Sequence, residues 1–402
     1  MKSKKQTNKF FFYLFFTVVI IVIFSSFYFF DCFSFLENKA YDSRMKYASK
    51  FISPSEDICF IALDQESLDW ASLGFNYTKT DCNVRCYYRD GKWSDLEVSD
   101  SEYIPMHISA ACLHYGLELF EGLKAFRGED GKVRLFRAEE NAKRMQASAR
   151  KLCLPVPSIE LFVEACEEVI RRNARFIPPY GTGASFYLRP LLIGSNAVLG
   201  VKPATEAMLV VFGTPVGAYF KEGIKPISVL LDREFDRAAP RGTGEVKVGG
   251  NYASSIYSGD RAHKAGFSNV LYVDAAERKY IEECGAANFF GIKEGCYVTP
   301  KSGSILPSIT NKSLRQLAEH LGLKVEERVV PIEELSTFEE AGACGTAAVI
   351  SPIGKIVDMQ TGDIYNYGNE VGEWSMKMYN ALQDIQYGRA EDLFGWTREV
   401  EL

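Results

Sequence analysis

The chain has little of what metal or disulfide scaffolds need. Four histidines are spread over 402 residues, and of the ten cysteines only Cys82 and Cys86 lie close together. A structural zinc site needs four ligands, and no second pair completes this one, so the sequence predicts no metal site. Scattered cysteines in a long chain are typical of free thiols in a reducing compartment.

A strong excess of charge of one sign is also missing. The formal net charge is −6, and no long basic run or basic-aromatic stripe is present that would follow a phosphate backbone. The sequence therefore predicts no nucleic-acid partner. A content of 47% hydrophobic and 24% charged residues is that of an ordinary globular protein, and the length allows two or three domains with a sizeable core.

One long uncharged run is present, at residues 10–30, and it is rich in Phe, Ile and Val. At a rise of about 1.5 Å per residue, a helix of this length crosses a hydrocarbon layer, so the run predicts one transmembrane helix. A cleaved signal peptide is the alternative, but no small-x-small cleavage site follows. Lysines crowd residues 2–9, and equally many Lys and Arg residues follow between 39 and 50, so the preference for a cytoplasmic N-terminus is slight.

Residues 37–68 resemble the opening of a CHASE-type extracytoplasmic sensor domain. In such a domain a helix after the membrane leads into a buried strand, here predicted at 58–63. The resemblance covers too few residues to close a core of its own. We therefore interpret residues 1–68 as a membrane anchor with a sensor-like stub.

From Asp69 onward the sequence has a mixed α/β pattern. Short β-branched runs predict strands, and amphipathic segments with a 3.6-residue period predict helices. The predicted strands are Val133–Phe136, Ala207–Phe212, Ile227–Leu231 and Val270–Val273; the predicted helices are Ala138–Leu152, Ile159–Arg172, Lys312–His320 and Val371–Leu382. A stretch with Pro and Gly near 189–203 predicts a connector at 191–203 between a small domain at 69–190 and a large domain at 204–402.

Several glycines surround Lys247 in the run RAAPRGTGEVKVGGNYASS (237–255). Such a backbone can let a flat cofactor lie close to the chain. Taken alone, a lysine among glycines is ordinarily a solvated loop residue. The surrounding motifs change that interpretation.

Six separated motifs accompany the lysine run, and together they resemble branched-chain aminotransferases from Asp69 nearly to the last residue. They are LHYGLELFEGLKAFRG (113–128), NAKRM (141–145), SFYLRP (185–190), IEECGAANFFGI (281–292), ILPSIT (305–310) and CGTAAVISP (344–352). The resemblance implies a two-domain α/β fold of the D-amino-acid-transaminase-like type, with pyridoxal 5'-phosphate between the domains. It also implies a homodimer in which a loop of one subunit closes the other's pocket.

The resemblance assigns cofactor contacts. Lys247 would bind pyridoxal phosphate covalently and then carry a proton from the substrate Cα. Glu283 would keep the pyridine nitrogen protonated, and Tyr252 would hydrogen-bond the phenolic oxygen. The phosphate would be held by Arg144 and by two segments expected to lie at helix N-termini, where free N–H groups attract anions; these segments contain Ile309, Thr310, Thr346 and Ala347.

Substrate contacts follow from the same resemblance. Tyr115, Phe120 and Tyr187 would form apolar walls for an aliphatic side chain, and Arg189 would pair with the second carboxylate of glutamate. Arg237 matches an arginine near the site whose role is less specific. The implied reaction is ping-pong transfer from L-leucine, L-isoleucine or L-valine to 2-oxoglutarate.

The sequence departs from the family pattern at three places. Ser308 stands where glycine is common, and Asn311 where a basic residue is common. Residues 348–351 replace a redox Cys-x-x-Cys that some relatives carry, so we expect no thiol switch there. Cys344 lies nearby, and a buried packing role is expected for it.

Three alternatives remain open. A D-amino acid aminotransferase or an aminodeoxychorismate lyase would share this fold, and a membrane sensor could retain the domain for binding alone.

The N-terminal segment and the aminotransferase-like part also indicate different locations, because a cytoplasmic N-terminus would place an enzyme of cytoplasmic type across the membrane. Either the orientation is reversed, or the join at residues 68–69 is a gene-fusion or assembly accident.

Overall fold

The computed structural model describes residues 68–220 and 223–402. The chain divides into two compact units, Met1–Leu68 and Asp69–Leu402, and the second contains every element described below. The membrane helix predicted at 10–30 and the strand predicted at 58–63 lie outside the described residues. Within the described ranges, no helix is both long and apolar enough to cross a bilayer.

The first of two sheets has nine strands, all paired antiparallel. In space the path runs β18–β6–β5–β7–β8–β1–β2, with β3 beside β1 and β4 beside β7. The strands are β1 (Asn83–Arg89), β2 (Lys92–Trp93), β3 (Glu97–Ser99), β4 (Glu118–Phe120), β5 (Leu123–Arg127), β6 (Val133–Phe136), β7 (Ser185–Gly194), β8 (Ala207–Val216) and β18 (Thr397–Val400).

The second sheet also has nine strands and mixes parallel with antiparallel pairs. Because β11 pairs with both β10 and β12, the strands β11–β10–β9–β16–β15–β12 form a closed ring filled by apolar side chains. The strands are β9 (Ile227–Asp232), β10 (Asn269–Val273), β11 (Ile281–Cys284), β12 (Ala287–Lys293), β13 (Cys296–Pro300), β14 (Lys324–Arg328), β15 (Glu340–Gly345), β16 (Val349–Asp358) and β17 (Ile364–Asn366).

Six α-helices and two short 3-10 turns lie on these sheets in the described part of the chain. The helices are α1 (Ala111–Tyr115), α2 (Ala138–Lys151), α3 (Ile159–Arg172), α4 (Gly249–Lys264), α5 (Ile309–His320) and α6 (Glu373–Gln386); the 3-10 turns are Ala174–Phe176 and Ile332–Thr337.

The third helix shows how sequence sets these elements. The Ser158 hydroxyl accepts a hydrogen bond from the N–H of Leu161 and caps the helix. Glu160 lies in the first turn and Arg171 in the last, which suits the helix dipole. One face is buried against the first sheet, and its residues recur every three or four positions.

The two sheets share a hydrophobic cluster within this unit. Phe126 and Phe136 of the first sheet pack with Phe290 and Tyr297 of the second, and Leu314 of α5 completes the contact. The helix α5, whose start belongs to the site described below, therefore packs against residues of both sheets.

Each strand and helix predicted from Asp69 onward is present, and most of them have shifted ends. The helix predicted from Lys312 begins at Ile309, and the helix predicted at Val371–Leu382 runs to Gln386. The segment 191–203 does not lead from one sheet to the other, because it joins β7 to β8, which are neighbours in the first sheet. The chain changes sheets after β8, later than the predicted connector.

Candidate active site

Lys247 lies in the short segment that leads into α4. Its carbonyl accepts a hydrogen bond from the N–H of Phe120 at 3.1 Å, and its N–H donates to the Ser148 hydroxyl at 3.4 Å. These bonds tie the segment to β4 and α2, whereas α4 packs on β9 and β10 of the second sheet. The lysine therefore lies where elements of both sheets meet.

The side-chain amine of Lys247 is desolvated. Burial, with a smaller effect of the Arg144 guanidinium, lowers its pKa from 10.5 to about 7. No ion pair to this amine is present among the described residues. Near neutral pH a large fraction of the amine is therefore uncharged and can act as a nucleophile.

Tyr252, in the first turn of α4, accepts a hydrogen bond from the Lys247 amine. Nζ of Lys247 donates to its hydroxyl oxygen at 2.8 Å. The ring of Phe120 lies against both groups, 5.1 Å from the Tyr252 ring and 4.9 Å from Nζ. Burial raises the pKa of Tyr252 to about 12, so its phenol keeps its proton.

Glu283 on β11 is a buried carboxylate. Nη1 of Arg237 lies 2.7 Å from its Oε1, and both side chains are only 3% exposed. The carboxylate also accepts hydrogen bonds from the Leu306 N–H and the Asn288 amide, each at 3.0 Å. Burial outweighs Arg237 and raises the pKa of Glu283 to about 7. A cationic partner would draw this group into its charged form.

Arg144 on α2 forms a two-pronged pair with the fully buried Glu121. Its Nε and Nη2 donate to the two carboxylate oxygens at 2.8 and 2.7 Å, and its Nη1 donates to the Pro307 carbonyl at 2.9 Å. N–H groups remain on both terminal nitrogens. The guanidinium is thus fixed in orientation while still able to donate to an anion.

Two loops converge on a small cavity that Asn141 of α2 also lines. One is the start of α5, where the Ser308 hydroxyl accepts from the Asn311 N–H and caps the helix. The other is the turn between β15 and β16, where the Thr346 hydroxyl donates to the Gly122 carbonyl at 3.3 Å. Thr310 and Thr346 line the same small cavity, which an anion at the helix N-terminus could enter.

Arg189 on β7 carries a charge that nothing in the described chain neutralises. Its Nη2 donates to the Tyr187 hydroxyl at 3.2 Å and its guanidinium lies 4.6 Å from the Phe120 ring centre, but its buried Nε has no partner. Gly122 leaves room for the Tyr187 ring, because a Cβ there would lie 2.1 Å from the Tyr187 hydroxyl and would displace it. The aromatic rings of Phe120 and Tyr187 therefore lie next to a guanidinium, Arg189, that can pair with an anion.

Comparisons with known proteins show the family of this chain. The family model described as amino-transferase class IV matches residues 118–356. The chain is 49% identical over 339 residues to the branched-chain-amino-acid aminotransferase of Helicobacter pylori strain J99, covering 83% of this chain and 98% of that protein. The chain belongs to the class IV aminotransferases, in the branched-chain-amino-acid aminotransferase family.

Solved structures of this aminotransferase family have the same fold. The Escherichia coli branched-chain amino acid aminotransferase is 30% identical with a TM-score of 0.69, covering 80% of this chain and all of that one. The branched-chain amino acid aminotransferase of T.th., crystallised with N-(5'-phosphopyridoxyl)-L-glutamate, is 26% identical with a TM-score of 0.66, covering 79% of this chain and 98% of that one.

Two expectations for the anion loops of this aminotransferase are corrected. Ile309 and Thr310 do not precede the helix but form its first two residues. Thr346 and Ala347 lie in a turn between antiparallel strands rather than at a helix N-terminus. The turn ends at Val349, whose φ of 64° is strained for a β-branched residue. The surrounding structure must therefore hold the turn in its shape.

Ser308 and Asn311, the two residues near α5 that differ from the family pattern, have structural roles in this aminotransferase. Ser308 serves as the N-cap. Asn311 is buried, and its amide donates to the Asn288 side chain at 3.0 Å and to the Thr299 hydroxyl at 2.9 Å. Its oxygen accepts from Tyr297 at 2.8 Å. A longer basic side chain would not fit this network.

Not every predicted substrate residue joins the Lys247 cluster in a single chain. Tyr115 is exposed, and its hydroxyl contacts the Leu199 carbonyl in a neighbouring loop. Arg237, whose role was open, pairs with Glu283 and donates from Nε to the Gly285 carbonyl at 3.0 Å. Cys344 is buried, and burial raises the pKa of its thiol to about 12, as expected for a packing role.

Sequence reasoning missed three residues that hold the site together. Glu121 orients Arg144, and Glu118 accepts a hydrogen bond from the Gly249 N–H at 2.8 Å, two residues after Lys247. Lys124 donates to the Ala347 carbonyl at 2.8 Å. All three lie in the motif at 113–128, so the concentration of charged residues in an otherwise apolar motif was the available signal.

Proposed function

We propose that this chain transfers the amino group of L-leucine, L-isoleucine or L-valine to 2-oxoglutarate in a ping-pong reaction that uses pyridoxal phosphate. The observation that carries the proposal is the buried Lys247 amine, which donates to the Tyr252 hydroxyl at 2.8 Å, in a site where no carboxylate of the described chain pairs with Arg189. The family supports it, and so does the relative crystallised with a phosphopyridoxyl-glutamate compound.

The chemistry of the donor set fits pyridoxal phosphate. Lys247 would supply the amine that holds the cofactor through its aldehyde carbon, Glu283 would stabilise a protonated ring nitrogen, and Tyr252 would donate to the phenolic oxygen. Arg144, Ile309 and Thr310 would hold the phosphate, together with Thr346 and Ala347 in the opposite turn. Once bound, the cofactor supplies an electron sink for negative charge that develops at the substrate Cα.

The chain's own residues handle the proton. A lysine amine with a pKa of about 7 can take a proton from Cα and release it again near neutral pH. Tyr252 keeps the amine within reach through the 2.8 Å hydrogen bond. Arg237 partly offsets the effect of burial on the Glu283 pKa, and a cationic ring nitrogen beside the carboxylate would favour its charged form further.

Substrate choice depends on one pocket that accepts two kinds of side chain. Phe120 and Tyr187 would provide apolar surface for the branched aliphatic groups, whereas Tyr115 lies outside this cluster in a single chain. Arg189 lies against the first two of these rings and would pair with the second carboxylate of glutamate or 2-oxoglutarate.

We also propose that the enzyme is a homodimer. Five large apolar side chains on α1, before it and after β7 are each at least 61% exposed, and such exposure typically indicates an interface. They are Tyr103, Ile108, Leu113, Leu199 and Val201. Tyr115 contacts the same surface, so dimer formation would cover it. Sedimentation at several concentrations tests this, and a monomer at micromolar concentration would contradict it.

A substrate panel tests the proposed reaction. Purified protein with pyridoxal phosphate should turn over L-leucine against 2-oxoglutarate, and its yellow colour should fade when L-glutamate alone is added. Turnover with D-alanine only would identify a D-amino acid aminotransferase instead. Colour that persists with every amino acid would indicate a binding domain without catalysis.

The membrane helix at residues 10–30 remains a proposal, supported by its length and composition. Alkaline carbonate extraction of membranes from cells that express the full chain tests it. A chain that stays with the pellet supports the anchor, and release into the supernatant contradicts it.

A further inference from the structure

The loop at residues 301–308, between β13 and α5, contacts three parts of the candidate cofactor site: Glu283, Arg144 and the start of α5. The Leu306 N–H donates to Glu283 at 3.0 Å. The Pro307 carbonyl accepts from Arg144 at 2.9 Å, and Ser308 caps the helix that begins with Ile309 and Thr310. One short loop thus joins the ring-nitrogen partner to the phosphate donors.

The same loop lies against the lysine segment. A Cβ at Gly244, three residues before Lys247, would lie 2.6 Å from the Cα of Ser304. The absence of a side chain at Gly244 lets the two backbones approach closely. A shift of the 301–308 loop would therefore be felt at the lysine as well.

Glu282 fastens this loop. It is 4% exposed, and its Oε1 accepts a hydrogen bond from the Ser302 hydroxyl at 2.7 Å and another from the fully buried Ser304 hydroxyl. The two serine hydroxyls are 3.0 Å apart, and the Ser304 N–H donates to Ser302. A buried carboxylate keeps such partners tightly, because losing them would leave it unsatisfied.

Glu282 and Glu283 are consecutive on β11, so their side chains point to opposite faces of the strand. Glu283 accepts from residue 306 of the loop, and Glu282 accepts from residues 302 and 304. The loop is held by both carboxylates at once. Only Glu283 is assigned to the cofactor.

We propose that Glu282 is a positioning residue of the aminotransferase, which acts through the 301–308 loop to hold Glu283 and Arg144 at their working distances. The proposal rests on the proposed function, because the distances matter only if pyridoxal phosphate lies between these groups. Sites whose supporting residues are removed become too loose while the contacting residues remain present.

The test measures the dissociation constant of pyridoxal phosphate from apoenzyme, and kcat and KM for L-leucine in the reconstituted full chain. Glu282→Ala should raise the dissociation constant by about tenfold or more and lower kcat, with KM changed by less than about twofold. Glu282→Gln keeps an oxygen acceptor and should recover most of the loss. The double variant Ser302→Ala/Ser304→Ala, which keeps Glu282, should reproduce the loss.

A matched control separates positioning from general stability. Glu340 is a comparable carboxylate on β15 that accepts from the Trp374 N–H at 2.9 Å and the Ser375 hydroxyl at 2.7 Å, but it fastens α6. Glu340→Ala should lower Tm and leave the cofactor dissociation constant unchanged. An equal rise in both alanine variants would overturn the proposal.

Three further outcomes complete the test. Dissociation constants for Glu282→Ala within about twofold of the wild-type value would overturn the positioning role and leave the proposed function intact. Should Glu282→Ala fail to fold, the glutamine and double-serine variants decide by the same criterion. A wild-type chain that binds no pyridoxal phosphate would overturn the proposed function, and this inference with it.

Discussion

Charge balance around Lys247 depends on three arginines. Arg144 is neutralised by Glu121 and Arg237 by Glu283, whereas no carboxylate in the described part of the chain pairs with Arg189. The site therefore has one uncompensated guanidinium and the positive end of α5 to offer to anions. The N-terminus of α5 suits a phosphate group, and the Arg189 guanidinium suits a substrate carboxylate.

Replacing the lysine tests the covalent role directly. Lys247→Ala should reduce transamination by more than about 10⁴-fold, because it removes the attachment point and the proton carrier together. Tm should stay near the wild-type value, since the side chain forms no ion pair in the described chain. Lys264→Ala, on the exposed side of α4, is the control and should keep full activity. Wild-type turnover without Lys247 would show that the site is misplaced.

Glu283→Gln tests the proposal that this carboxylate stabilises a protonated ring nitrogen. The amide keeps the shape and can still accept from Leu306, but it no longer favours a protonated ring. We expect the variant to retain cofactor and to lose most of its kcat. Glu277→Gln on the surface should change nothing. A rate within about twofold of wild type would remove Glu283 from the mechanism.

Arg189→Ala separates the two substrate classes. Only glutamate and 2-oxoglutarate carry a second carboxylate, so their kcat/KM should fall more than that of leucine. The fall should correspond to a loss of about 2–5 kcal/mol of transition-state stabilisation. Arg172→Ala, an exposed arginine that pairs with Glu168, is the control. Equal losses for leucine and glutamate would contradict the assignment.

Among the elements, α4 depends on a carboxylate outside its own sequence. Its N-cap residue, Val248, has no side chain that can cap, and the Glu118 carboxylate on β4 takes that place by accepting from the Gly249 N–H. The cap also fixes the peptide that follows Lys247.

Adjacent glycines test this cap. A Cβ at Gly249 would lie 2.1 Å from Oε1 of Glu118, so Gly249→Ala should displace the carboxylate and cost about 1.5–3 kcal/mol of unfolding free energy, with reduced activity. A Cβ at Gly250 meets nothing, so Gly250→Ala should stabilise α4 by up to about 1 kcal/mol. Urea unfolding measures both. Equal stability of the two variants would show that the cap is unimportant.

Sequence periodicity predicted which strands and helices are present better than it predicted where each one begins and ends. The strand at Val133–Phe136 and the helix at Ile159–Arg172 were predicted residue by residue, because each has a clean apolar pattern and the helix has a serine cap. The start of α5 was missed, because Ser308 caps a turn whose first residues resemble a loop in sequence.

The site was predictable as a set of residues and not as a network. The resemblance named Lys247, Tyr252, Glu283 and Arg144, and the structure brings these four together. It could not name Glu121 as the partner of Arg144, because that pair joins β-sheet and helix residues that only the tertiary fold brings into contact.

At the scale of the whole molecule, every site residue lies in the unit Asp69–Leu402. The Helicobacter pylori relative is matched over 98% of its length by 83% of this chain. The chemistry is therefore expected to be independent of residues 1–68.

A chain that starts at Asp69 should be yellow with pyridoxal phosphate, dimeric, and as active as the full chain with L-leucine and 2-oxoglutarate. Activity assays and sedimentation of the two proteins side by side check this. If the shorter chain loses cofactor while the full chain in detergent retains it, the first 68 residues are part of the enzyme.

The strand β18 is the last strand that the ribosome makes, although its partner β6 is made early. It pairs with β6, and the Lys132 ammonium beside β6 bonds Glu399 across a sequence separation of 267 residues. Phe136 likewise packs on Trp396, and the Arg137 N–H donates to the Trp396 carbonyl. While the ribosome is still making the second sheet, the first sheet therefore has an exposed edge at β6, open to pairing with other chains. A chaperone that shields this edge during translation would raise the yield of folded enzyme.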